Sequence, residues 1–255
     1  MDAQETVIST HGLTKCYGKK TALESVDLEI KKGRLYGLIG SEGAGKTTLL
    51  RILAGFIPSY KGEIEILGRT GRGGLRRAQR SIGAFIDVPA CYDELSVGDN
   101  LKMRGILVGK KDNERRLELR EKFLLKNKHV GKRGLRSASL GVKQVTGIVA
   151  AMIGDPQILL FDEPLYGLDT DGLVAARDEF TKLYSEKGVT ILASAHDPAE
   201  LDDLATDYIF MSGGRLLKQI SADALGEKMA ELGLESVGEY YVSLTAAETG
   251  KGGAK

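Results

Sequence analysis

RLYGLIGSEGAGKTTLLRILAGF, Arg34 to Phe56, decides the fold. RLYGLIG (34–40) is a short apolar run that ends in a glycine loop, and KTTLLRILAGF (46–56) reads as a helix. Between them, Gly40, Gly45, Lys46 and Thr47 match G-x-x-x-x-G-K-[ST]. Glycines in such a loop let backbone N–H groups curl around phosphate oxygens, and the helix that follows turns its positive end toward the same anion. Lys46 is placed to reach β- and γ-phosphates, and the Thr47 hydroxyl to ligate Mg²⁺. The candidate nucleotide-binding loop is therefore Gly40, Ser41, Glu42, Gly43, Ala44, Gly45, Lys46, Thr47 and Thr48. The bland alternative is a glycine turn before a helix. The strand before the loop and the helix after it supply the context the phosphate reading requires.

Working outward, ILLFDEP feeds four apolar residues into Asp162 and Glu163. Two adjacent carboxylates after a buried strand are costly unless they hold a cation or move a proton. Asp162 is the candidate for the Mg²⁺ shell and Glu163 for polarising an attacking water. EIEILG (63–68), SIGAFID (81–87), QILLFDEP (157–164) and VTILASAHD (189–197) read as strands, with a helix near 171–187. Residues from about 93 to 150 are mostly helical and charged. Continuous apolar strands separated by helices predict an α/β fold with a parallel sheet covered on both faces. LTAAETGKGGAK, at the end, reads as a small, polar, frayed tail.

Composition narrows the classes. The chain has 255 residues, 42% hydrophobic and 28% charged, which fits a soluble globular protein. A net charge of +1 gives no global pull toward nucleic acid. Cys16 and Cys91 have no CxxC spacing, which argues against a zinc site or a disulfide framework and fits a reducing compartment. MDAQETVISTHG lacks the features of a signal peptide, and no run of about 18 apolar residues is present to span a membrane.

At this point the chain resembles the ATP-binding subunit of ABC transporters over about residues 5–245. The motifs stand in that family's order. Tyr17, in LTKCYGKKTAL, matches the aromatic that stacks on adenine, and GSEGAGKTT matches the phosphate loop. SLGVKQ precedes Asp162 where the family keeps its signature. LYGLDTDG places Asp169 at the loop that crosses a dimer interface, and SAHD places His196 at the switch histidine that contacts the γ-phosphate. The resemblance implies a P-loop NTPase core, an N-terminal antiparallel β subdomain, a helical subdomain inserted at about 93–150, and a flexible tail over 246–255. It implies catalytic Glu163, His196 and Lys46, with Ser139, Gly141 and Gln144 acting on a second subunit's nucleotide. The implied metal ligands are Thr47, Asp162 and Asp87.

Departures matter too. The common signature LSGGQ here reads ASLGV, and an arginine common after it is replaced by Val145. Where the family usually has glutamine after SIGAFI, this chain has Asp87, which only accepts and is one methylene shorter. With an acid there, IGAFIDVPACYDELSVGDNL is most similar to exporters of the bacitracin and lantibiotic self-protection type. Glu42 inside the phosphate loop is a further oddity.

The resemblance implies ATP hydrolysis with Mg²⁺, driving export of an antimicrobial peptide or drug-like compound. The implied partners are a second copy or a homologous ATPase subunit and integral membrane permease subunits, reached through the surface from Asp87 to Leu101. The expected location is cytoplasmic, peripheral on the inner face of the cell membrane. The alternative is a soluble ABC-type switch not coupled to transport. Two basic runs, 68–80 and 122–136, read as solvated surface rather than a specific nucleic-acid site, with anionic lipid the better of the sharper readings. A GTPase is disfavoured because Asn127-Lys128-His129-Val130 lacks the acid of NKxD. A chromosome-type ATPase is disfavoured because about ninety residues separate Lys46 from Ser139, with no sustained heptad.

Overall fold

The two apolar runs that feed the motifs, β3 (Leu35–Ile39) and β6 (Ile158–Phe161), lie in one six-stranded sheet in the computed structural model. It describes residues 5–87, 91–109, 113–124 and 134–252. The other strands of that sheet are β5 (Ile82–Phe85), β7 (Thr190–Ala195), β8 (Asp207–Ser212) and β9 (Arg215–Ser221), in the order β5-β6-β7-β3-β8-β9. All neighbours are parallel except β8 and β9. A second sheet packs β2 (Lys20–Lys31), β1 (Thr6–Tyr17) and β4 (Lys61–Ile66) antiparallel, in that order.

Every residue of β3, β6 and β7 is buried. Side chains alternate across a strand, so a strand covered on both faces must be apolar throughout. The alternation sorts the residues into two cores. Leu35, Ile39, Leu159, Phe161, Ile191 and Ala193 join the helical side, while Tyr36, Leu38, Ile158, Leu160 and Leu192 join the side of the small sheet. On the helical side lie α5 (Leu140–Met152), α6 (Thr170–Ser185) and α8 (Val237–Gly252), with Phe161 stacked on Phe180 at 5.0 Å. On the other side lie α1 (Lys46–Leu53) and α2 (Gly71–Ala78). α3 (Val97–Leu107) and α4 (Asn113–Leu124) pack with α5, so among the described residues these three α-helices occupy the segment read as a helical insertion. Glu179 of α6 is fully buried and accepts a hydrogen bond from Lys122 of α4 at 2.8 Å. α7 (Ala222–Leu232) follows β9.

Some boundaries differ from the sequence reading. α1 stops at Leu53 rather than 56, because Gly55 takes φ 83° and breaks the helical course. The stretch read as a tail from 246 is helical through Gly252. Tyr240, Tyr241 and Leu244 anchor that helix to the core, and Tyr240 and Tyr241 lie against Phe210 at 5.4 and 6.3 Å. The Asn127–Val130 string and most of the basic run 122–136 lie outside the described residues.

Candidate active site

The loop 40–48 turns from the C-terminal end of β3 into α1. Gly45 sits at φ 104°, and a Cβ there would come within 2.7 Å of the Ala22 carbonyl oxygen, so only glycine fits. α1 begins with no side-chain cap and no acid in its first turn, whereas α3, α5, α6 and α7 are each capped by a serine or aspartate side chain. Its first-turn amides are left for an anion, which fits a phosphate. Lys46 is buried; its Nζ donates to the carbonyls of Gly40 and, at 3.4 Å, Ser41. It forms no ion pair among the described residues, so its charge is available to an anion.

A cleft of about 440 Å³ opens over this loop, lined by Ser41 to Thr48 together with Tyr17, Lys20, Ala22, Glu163 and His196. It therefore gathers residues that lie far apart in the chain. Thr47 Oγ1 donates to Asp162 Oδ2 at 2.8 Å, and Ser194 Oγ donates to Asp162 Oδ1 at 2.6 Å. Among the described residues no group of three His, Cys, Asp or Glu side chains could hold a metal ion. One hydroxyl and one carboxylate, completed by water and phosphate, suit Mg²⁺, which keeps several waters and uses few protein ligands. Glu163 has φ 49°, a left-handed conformation uncommon for a residue with a side chain. Its N–H donates to Ser194 Oγ at 3.0 Å, and its carbonyl accepts from Gln144 Nε2 at 2.8 Å. The strained peptide is clamped from both ends, and Glu163 lines the cleft. Glu42 is exposed, as is His196. Near His196, burial first and then Asp197 and Glu163 push the Glu200 carboxyl above its usual range.

Ser139, Gly141 and Asp169 line a different cavity, of about 710 Å³, which shares no residue with the cleft. Ser139 caps α5 by accepting from the Val142 N–H at 3.4 Å, and Asp169 caps α6 by accepting from the Gly172 N–H at 2.8 Å. Two of the expected site residues have partners within their own chain. Gln144 is buried and bonds to Glu163 of its own chain, so its amide is not presented outward. Arg51 of α1 takes both oxygens of Asp87, with Nε–Oδ2 at 2.8 Å and Nη2–Oδ1 at 2.5 Å. The two parallel bonds form the bidentate fork that a guanidinium makes with a carboxylate.

The comparisons with known proteins fit this geometry. The family described as ABC transporter matches residues 23–166, from β2 through the Asp162–Glu163 pair. The chain belongs to the ABC transporter family. It is 36% identical over 226 residues to the lantibiotic transport ATP-binding protein SrtF of Streptococcus pyogenes, covering 89% of this chain and 95% of that one. It is 33% identical over 223 residues to the bacitracin transport ATP-binding protein BcrA of Bacillus licheniformis, covering 88% of this chain and 72% of that one. A solved structure of the ATP binding subunit of an ABC transporter superimposes with a TM-score of 0.82 at 26% identity, covering 94% of this chain and 99% of that one. As a member of the ABC family, the protein is an ATPase whose hydrolysis is coupled to transport. No helix among the described residues is long and apolar enough to cross a membrane.

Sequence reasoning missed three contributors to this ABC site. Ser194 lies two residues before His196 and ties Asp162 to the Glu163 peptide. Its position in SAHD, one strand over from ILLFDEP, was the available signal. Arg51 was readable only as an α1 surface residue. Tyr241 of α8 accepts from the Ser41 N–H at 2.9 Å and donates to the Met211 carbonyl at 3.2 Å, across a separation that no local pattern reveals.

Proposed function

We propose that two copies of this subunit close head to tail on two molecules of ATP and drive export of peptide antibiotics through membrane permease subunits. One observation carries the reading. Ser139 and Gly141 line a cavity of their own, apart from the cleft that holds Lys46, Glu163 and His196. Neither can complete its own chain's cleft, whereas a facing copy can bring them to it.

In that arrangement the first-turn amides of α1 and the Lys46 ammonium hold the β- and γ-phosphates. Thr47 and Asp162 would hold Mg²⁺, which would supply neutralisation of phosphate charge. Glu163 orients a water and accepts its proton as the oxygen attacks phosphorus and the bond to the β-phosphate oxygen breaks. His196 donates to a γ-phosphate oxygen and senses its loss. The partner's Ser139 and the α5 N-terminus it caps close over the same phosphate. Tyr17 provides a ring face for adenine. Asp87, tied to Arg51, fastens the loop that precedes the permease-facing segment to the phosphate-loop helix; residues 88–90 of that segment lie outside the described ones. The cargo class rests on the names of the bacitracin and lantibiotic relatives. The location on the inner membrane face follows from the permease partnership.

The test is resistance. Cells carrying the subunit with its permease should tolerate bacitracin or a lantibiotic, and Glu163→Gln should remove that tolerance while the protein still binds ATP. Unchanged tolerance in Glu163→Gln would refute hydrolysis-driven export.

A further inference from the structure

Lys15 is a nearly buried lysine without a carboxylate. It is 9% exposed, and its ammonium donates to the Ser59 carbonyl at 2.7 Å and to Ser59 Oγ at 2.9 Å. No acid pairs with it among the described residues. The same nitrogen lies 4.9 Å from the centroid of the Tyr17 ring. A buried ammonium is costly unless its donors and charge are met, and here a carbonyl, a hydroxyl and a π face meet them.

The placement follows from the strand. The β1–β2 register shifts between Lys15 and Cys16, and across that shift the Lys15 ammonium lies over the Tyr17 ring. Lys15 is still inside the small sheet, opposite Leu23, while Tyr17 is the last residue of β1 and 45% exposed. A tyrosine at a strand end beside the turn at Gly18 would otherwise swing freely. Lys15 takes one face of the ring and anchors it, through Ser59, to the segment between α1 and β4. The ring also lines the cleft above the phosphate loop.

We propose that Lys15 is a positioning residue for the nucleotide base: it holds the Tyr17 ring by one face so that the other is preset for stacking. This deepens the reading of Tyr17 as the adenine platform and rests on it. A cation over an aromatic face is held strongly when desolvated, and a preset platform lowers the ordering cost of stacking.

The experiment measures equilibrium binding of ADP and of tripolyphosphate, both with Mg²⁺, by calorimetry on the full chain. Lys15→Met, which keeps the apolar stem, should weaken ADP about three- to tenfold. It should leave tripolyphosphate unchanged, which also reports that the phosphate loop is folded. Lys15→Arg should retain most of the ADP affinity, and Lys15→Met should add nothing in a Tyr17→Leu background. Unchanged ADP binding in Lys15→Met, an equal loss for tripolyphosphate, or a full further loss in the Tyr17→Leu background would each overturn the proposal. If Tyr17→Leu itself leaves ADP binding unchanged, the platform reading fails and takes the proposal with it. If Tyr17→Leu weakens ADP but Lys15→Met does not, the proposal alone fails.

Discussion

Ser194→Ala probes the joint on which the site depends. Ser194 is 1% exposed, and its one hydroxyl serves two partners. It donates to Asp162 Oδ1 at 2.6 Å and accepts the Glu163 N–H at 3.0 Å. Removing it deletes a charge-assisted hydrogen bond worth about 1.5–3 kcal/mol and strands an amide that costs about 1–3 kcal/mol. The two losses overlap, and Thr47 still holds the other Asp162 oxygen, so the expected destabilisation is about 3 kcal/mol. For a chain of this size that lowers Tm by roughly 6–12 °C. The functional loss should exceed what stability explains. Glu163 keeps its left-handed φ of 49° between the Ser194 and Gln144 bonds, and releasing one end lets the peptide relax and move the carboxylate. A displacement on the order of 1 Å in a catalytic group can lower kcat about a hundredfold. Urea unfolding, a thermal melt and steady-state ATPase rates measure all three effects. A Ser194→Ala protein that melts within about 1 °C of the parent and keeps its kcat would refute the clamp.

Three further predictions concern neighbouring contacts. Asp87→Asn should leave the Mg²⁺ dependence of turnover unchanged and alter stability by less than about 1 kcal/mol, since the pair with Arg51 is more than a third exposed, yet lower transport per ATP hydrolysed. The exchange Arg51→Asp with Asp87→Arg should recover coupling; a raised Mg²⁺ requirement in Asp87→Asn would return the acid to the metal shell. Tyr241→Phe should raise KM for ATP severalfold with kcat retained and cost about 1 kcal/mol in chemical unfolding, because α8 no longer holds the Ser41 amide. Glu200→Gln should stabilise the fold at neutral pH and have no effect below about pH 4, the ordinary Glu range. Its raised pKa means that ionisation in the folded protein is unfavourable, a penalty absent when the carboxyl is protonated in both states and present once pH passes the folded value. Melts from pH 3.5 to 8 read the difference directly.

The sheet was legible because β3, β6 and β7 are buried on both faces and so are apolar at every position. The phosphate loop was legible because steric and anionic demands at Gly45, Lys46 and Thr47 leave few residue choices. β8 and β9 were not, although Gly213-Gly214, both at positive φ, marked their hairpin. The helix over 246–252 was hidden by small polar residues whose order comes from Tyr240 and Tyr241 upstream. At the site, spacing gathered Thr47, Asp162, Glu163 and His196. It could not show that Asp87 has an arginine facing it, that Gln144 points inward, or that Lys15 lies under Tyr17. Those facts depend on side-chain direction across elements, which a linear pattern does not carry.

The shared site is the central claim, and mixing two inactive variants tests it most directly. Glu163→Gln removes the base of a subunit's own cleft, and Ser139→Arg blocks only the cleft of its partner. Each variant alone should have no ATPase activity. Mixed, they form heterodimers with one intact site, made of the Ser139→Arg subunit's cleft and the Glu163→Gln subunit's Ser139, and activity should return to as much as half the parent rate per mixed dimer. No recovery in a mixture shown to contain heterodimers would contradict the account.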